Sequence, residues 1–197
     1  MGPFQRVRSF AEKHRFQFLK HVGLFLLILF GFHFFYAALL RPLILVEGYN
    51  TVWVFLQRLL YAHSVWVLEH VLNYEFVADG FLISFPGHGS ILVDETCSAA
   101  KWLLHFLVLM LLFPGPWKHK AWFIPAGLLV VHGISVFRIV GLSVVFVNQP
   151  QAWDFSHDFV FRPFFYAMLF LIWVVWVEYF VIKQGSGASY YRHSNKT

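Results

Sequence analysis

The stretch FLKHVGLFLLILFGFHFFYAALL, residues 18 to 40, decides the class of fold. Its only polar interruptions are Lys20, His21 and His33. At about 1.5 Å of helical rise per residue it is long enough to cross a hydrocarbon core of roughly 30 Å. The whole chain agrees with this reading. Of its 197 residues 59% are hydrophobic, 25 are Phe and only 13% are charged, where soluble domains carry about 25% charged residues.

Three further apolar runs, Ser98 to Phe113 with its flanks, Ala121 to Val147 and Phe159 to Ile182, are each bounded by charges, Pro or Gly. The first run follows a basic segment as a signal peptide would. It is too long and bulky for one, however, and has no small-x-small cleavage site before Arg41, so it reads as a retained anchor. Ten of the fifteen Lys and Arg residues lie in three short flanks: Arg6, Arg8, Lys13, Arg15 and Lys20; Lys118 and Lys120 in PGPWKHK; and Lys183, Arg192 and Lys196. The positive-inside rule places these flanks in the cytoplasm. Residues 41 to 97 and the loop 148 to 158 are then outside.

The segment NTVWVFLQRLLYAHSVWVLEHVLN, residues 50 to 73, is helical in pattern but carries Gln57, Arg58, His63, Glu69 and His70. It reads as an amphipathic helix at the outer interface or folded over the bundle. If it crossed instead, the parity would reverse. The expected fold is therefore an all-α integral membrane bundle of four spans, or five with 50–73. A small β-hairpin-like segment is expected between Tyr74 and Val93, where Asp79-Gly80 and Pro86-Gly87-His88-Gly89 mark turns. The expected organisation is a cytoplasmic basic tail 1–17, one membrane-embedded domain 18–182 and a cytoplasmic tail 183–197. The two ends, about residues 1 to 15 and 185 to 197, read as mobile.

The net charge of +5 lies in flanks of apolar spans, with no basic patch interleaved with aromatics. It fits anionic lipid headgroups rather than nucleic acid. The single cysteine excludes an intrachain disulfide and a thiolate-held metal cluster within one chain.

Three residues carry the candidate chemistry. Cys97, in HGSILVDETCSAAKW, sits where a short extended segment gives way to an apolar helix. Asp94, Thr96 or Ser98 can cap that helix, and its positive end favours a thiolate. A lone cysteine is also an ordinary packing residue. Arg138, in GISVFRIVGLSVV, is a formal charge well inside an apolar run, where it costs several kcal/mol (about 2.5 to 3.5 on insertion scales) unless it snorkels or is paired. His157, in NQPQAWDFSHDFVFRP, stands just before the last run, with Asp154 and Asp158 beside it as candidates to orient its imidazole. By parity all three fall near the outer surface. A thiol, an imidazole and a guanidinium are the groups that thiol-based acyl transfer uses.

The order Cys, Arg, His, in ETCSAAKW, VHGISVFRIVGLSVV and FSHDF, resembles the exosortase/archaeosortase family, in particular its short bacterial members. The resemblance covers roughly residues 74 to 182. It implies an integral membrane cysteine transpeptidase or endopeptidase of the bacterial inner membrane. Its partners would be membrane-anchored substrates that end in a short motif, a transmembrane helix and a basic tail. It also implies Cys97 as nucleophile, Arg138 as the catalytic arginine and His157 as general base or acid, with no cofactor or metal. Ala99 and Ser135 stand where many relatives have Gly and Asn, which leaves the recognised motif open.

Two other classes compete. Eleven histidines, with His105 and His132 on two different spans, invite a haem-binding redox protein. The core and a place beside the active site are the other readings of His105. A non-enzymatic assembly subunit would use Arg138 only as a structural pair. His88, close to Cys97 in sequence, is the rival base.

Overall fold

The computed structural model describes residues 3–40, 51–93 and 99–182, with side chains from Phe18 onward. Helix α1 runs Pro3–Phe35 and ends in a π-helical turn, Tyr36–Leu40. It thus begins within the segment expected to be a mobile tail. No Gly or Pro interrupts residues 4 to 22, and Pro3 stands at the start, where its missing N–H costs nothing. Helix α2 is Thr51–His70. Its buried residues Gln57, Leu60, Ser64 and Leu68 recur at helical spacing and form one inward stripe, while Arg58, Glu69 and His70 are exposed.

Three strands follow rather than the expected hairpin: β1 (Val77–Asp79), β2 (Leu82–Phe85) and β3 (Gly89–Leu92) form an antiparallel sheet in the order β1-β2-β3. Both turns fall at the marked dipeptides. Gly80 and Gly87 adopt φ of 60° and 78°, a region open to glycine at little cost. The sheet leans on α2: Tyr61 donates to the Leu82 carbonyl (2.9 Å) and Gln57 to that of Val93 (2.6 Å). Burial, followed by the nearby Asp79 charge, raises the Tyr61 phenol above its ordinary pKa, so it remains a donor.

Helix α3 (Ala99–Leu112) and helix α4 (Trp117–Asn148) form an antiparallel pair. Lys120, 3% exposed, folds back and donates to the Leu111 and Phe113 carbonyls at 3.1 and 2.7 Å, capping the end of α3. The last stretch is not preceded by a long loop. A 3-10 turn (Pro150–Ala152), a single turn α5 (Trp153–Phe155) and a π-helical segment (Ser156–Phe161) lead directly into α6 (Arg162–Trp176), which ends in another π-helical turn, Val177–Ile182.

Among the described residues three helical stretches are long and apolar enough to cross a membrane: Phe18–Leu40, Trp117–Asn148 and Pro150–Val181. Helix α3 is apolar but shorter; its fourteen residues cover about 21 Å. Many large apolar side chains face outward, Leu27 at 71% and Leu129 at 75% among them, as a lipid-facing exterior requires. Inside, Trp173 and Trp176 are fully buried against Phe25, Phe113 and Phe123. The ends of the bundle are distinct. His21 meets Phe113, His119 meets Phe180 and Trp176 donates to the Pro114 carbonyl, so the flanks holding Lys20, Lys118 and Lys120 gather at one end. Tyr74 accepts from Asn148 at the other.

Glycines set the closest helix contacts. A β-carbon at Gly127 would collide with the Phe106 ring of α3, and one at Gly141 with the Phe161 ring. Gly133 faces open space. Gly127→Ala is therefore expected to destabilise the protein by about 1 to 3 kcal/mol through overpacking, whereas Gly133→Ala leaves stability unchanged or raises it by up to about 1 kcal/mol. Thermal unfolding of the two variants in detergent checks this ordering.

Candidate active site

The site is built where α4 passes the π-helical segment. Arg138 is 3% exposed and belongs to α4. Its Nη2–H donates to His157 Nε2 at 3.1 Å. His157 Nδ1–H in turn donates to Asp158 Oδ1 at 2.8 Å, and Arg162 Nη2 lies 3.0 Å from the same oxygen. A guanidinium only donates, so the Nε2 facing Arg138 carries a lone pair and the Nδ1 facing Asp158 carries the proton; this network assigns the tautomer.

Local chemistry explains why His157 reaches Arg138. Pro163, at the start of α6, has no N–H to give to the carbonyl of Phe159, and its ring crowds that carbonyl. The helix accommodates this by widening to π-helical form over Ser156–Phe161. Gly141 lets the Phe161 ring lie directly on α4, one turn beyond Arg138. Trp153 stacks parallel to the imidazole (6.3 Å between centroids) and packs edge-on against Phe146 of α4. The imidazole is thus held by a ring on one side and by hydrogen bonds at both nitrogens.

Of the three residues singled out from the sequence, Arg138 and His157 are in direct contact. Cys97 lies outside the described residues, as do its proposed caps Asp94, Thr96 and Ser98. The helix that follows Cys97 can still be levelled against α4. Phe106 packs on Gly127, and the two helices are antiparallel. Ala99 is then about level with Ile134, roughly 6 Å along the axis from Arg138.

Asp158, not Asp154, bonds the imidazole. His88 is exposed on the β2–β3 turn; the adjacent Gly89 lies on Phe146, about 12 Å further along α4 than Arg138. Sequence reasoning missed Arg162, although its i,i+4 spacing from Asp158 was readable, and it missed Trp153 and Gly141. It also placed His157 in a loop, where the structure has a helix. The wrong boundary came from treating the polar residues of NQPQAWDFSHD as a break; Trp153 anchors that turn instead by packing on Phe146.

His105 and His132 are not a facing pair. His132 Nε2 lies 2.9 Å from His63 Nδ1 of α2. His105, 2% exposed, donates from Nδ1 to the Lys101 carbonyl (2.7 Å) and is surrounded by the rings of Phe32, His33, Tyr36 and Trp102. Among the described residues no group of three or more His, Cys, Asp or Glu is arranged to hold a metal ion. The His105 Nε2 is buried without a hydrogen-bond partner, so a ring of similar size without that nitrogen suits the site. His105→Phe also removes the Nδ1 donor to the Lys101 carbonyl, and is expected to lower the unfolding free energy by no more than about 1.5 kcal/mol. A loss above about 3 kcal/mol in the same unfolding experiment would contradict the reading of His105 as a packed ring of the core.

Comparison with known proteins adds one finding. The model of the transmembrane exosortase family (Exosortase_EpsH) matches residues 18–174, most of the chain. No curated protein and no solved structure matches it.

Proposed function

The chain belongs to the transmembrane exosortase family, and from that premise we propose that it is a membrane cysteine transpeptidase or endopeptidase. Its substrates are exported proteins held in the bilayer by a C-terminal sorting signal. The observation that carries this reading is the 3.1 Å contact between Arg138 and His157, roughly 6 Å along the axis from the level where the helix following Cys97 begins. The gathering of Lys20, Lys118 and Lys120 at the opposite end supports cytoplasmic termini and a site at the outer face of the inner membrane.

In the proposed reaction His157 Nε2 accepts the Cys97 thiol proton, and the thiolate adds to the scissile carbonyl carbon. A protonated Nε2 no longer accepts from Arg138. The guanidinium N–H that had pointed at Nε2 then turns to stabilise the oxyanion of the tetrahedral intermediate. Collapse of the intermediate breaks the C–N bond as the imidazolium returns its proton to the departing amine, leaving a thioester. Water or an incoming amine then attacks the thioester, losing its proton to His157, and the thiol leaves with that proton. Anchoring of the substrate by its own apolar helix turns recognition into proximity, because the motif above that helix is held at the level of the thiol.

Cys97→Ala and Cys97→Ser are expected to abolish processing. Arg138→Ala and His157→Ala are expected to lower it by about 10²- to 10⁴-fold. The assay is accumulation of unprocessed precursor in cells that make a tailed substrate, with folding of each variant checked by its melting profile. Normal processing by folded Cys97→Ala would leave a non-enzymatic assembly role as the surviving reading.

A further inference from the structure

We propose that Asp158, fixed by Arg162, is a positioning residue that sets the tautomer and direction of His157. This inference rests on the thiol reaction described above. Neighbouring side chains on an ordinary α-helix diverge and do not face one another. His157 and Asp158 are adjacent in sequence, yet Nδ1 and Oδ1 are 2.8 Å apart. They make this contact inside the π-helical segment, where the backbone departs from α-helical geometry. The same Oδ1 accepts from Arg162 one turn further on, at 3.0 Å, so a second donor fixes the oxygen that faces the imidazole.

With Nδ1–H committed to Asp158, the lone pair of the ring is on Nε2, the nitrogen that faces buried Arg138. Without the carboxylate only the Arg138 contact holds the ring; rotation about the side-chain bonds can break that contact, and in the rotated ring either nitrogen can carry the proton. The Asp158–Arg162 pair contributes little to stability. The Asp158 and Arg162 side chains are 46% and 52% exposed, and exposed ion pairs contribute little to folding. Orientation of the imidazole is what remains for the pair to do.

The test uses the full-length protein in liposomes with a tailed substrate, comparing Asp158→Ala, Asp158→Asn, Asp158→Glu and Arg162→Ala, with Glu69→Ala as the surface control and Cys97→Ala as the reaction control. Asp158→Ala is expected to lower kcat by about 10- to 100-fold while KM stays within about twofold. Asp158→Asn, whose amide oxygen can still accept from Nδ1–H, falls between Ala and wild type. Asp158→Glu recovers most of the rate, and Arg162→Ala loses a few-fold. Nitrogen-15 NMR of His157 is expected to report the Nδ1–H tautomer in wild type and a mixture in Asp158→Ala. An inactive Cys97→Ala beside an Asp158→Ala of wild-type kcat, or an Asp158→Glu as slow as Asp158→Ala, overturns the positioning role alone. An active Cys97→Ala overturns both this role and the reaction on which it rests.

Discussion

A guanidinium buried in an apolar helix is the constraint around which this protein is organised. Arg138 is 3% exposed in the middle of an apolar stretch of α4, and a cation there requires a polar partner. His157 supplies one at 3.1 Å. To bring that imidazole against α4, the chain places Pro163 below it, widens the helix between the two and removes a side chain at Gly141. Each of these departs from regular helix packing, and all three concern the same contact.

The rest of the bundle fixes the level at which the contact lies. Gly127 seats the Phe106 ring and thereby sets how far α3 reaches along α4. Lys120 ties the lower end of α3 to the start of α4. Above, α2 and the three-stranded sheet form a second apolar cluster in which Leu60, Leu68, Ile83 and Phe85 pack with Ile139 and Val140, the two residues after Arg138. Water is thereby kept from one flank of α4, which strengthens every electrostatic interaction there. The cover over the site and the packing that stabilises α2 are the same set of contacts.

The long apolar runs were legible because bilayer thickness dictates their length and nothing competes with that signal. Arg138 was legible for the same reason: its cost in lipid marks it out. Other features depended on packing that no local pattern records. The boundary before His157 was misread because polar residues look like loop, whereas Trp153 earns its place in the helix by packing on Phe146. The third strand was missed since Val77–Asp79 is only three exposed residues, paired through register with β2. His105 reads from the sequence as core or as a neighbour of the active site ahead of a haem ligand, and its cage of rings places it in the core. The order Cys97, Arg138, His157 gave the family, which the match over residues 18–174 bears out; the choice of Asp158 over Asp154 needed three dimensions.

The most direct test of this account is the reactivity of Cys97 toward a thiol reagent that cannot cross membranes, applied from either side to sealed vesicles across a pH series. The account predicts labelling from the outer face alone, with a rate at neutral pH that falls in His157→Ala while the same variant still unfolds in a single cooperative transition. Labelling from the cytoplasmic face, or a rate indifferent to His157, would contradict it.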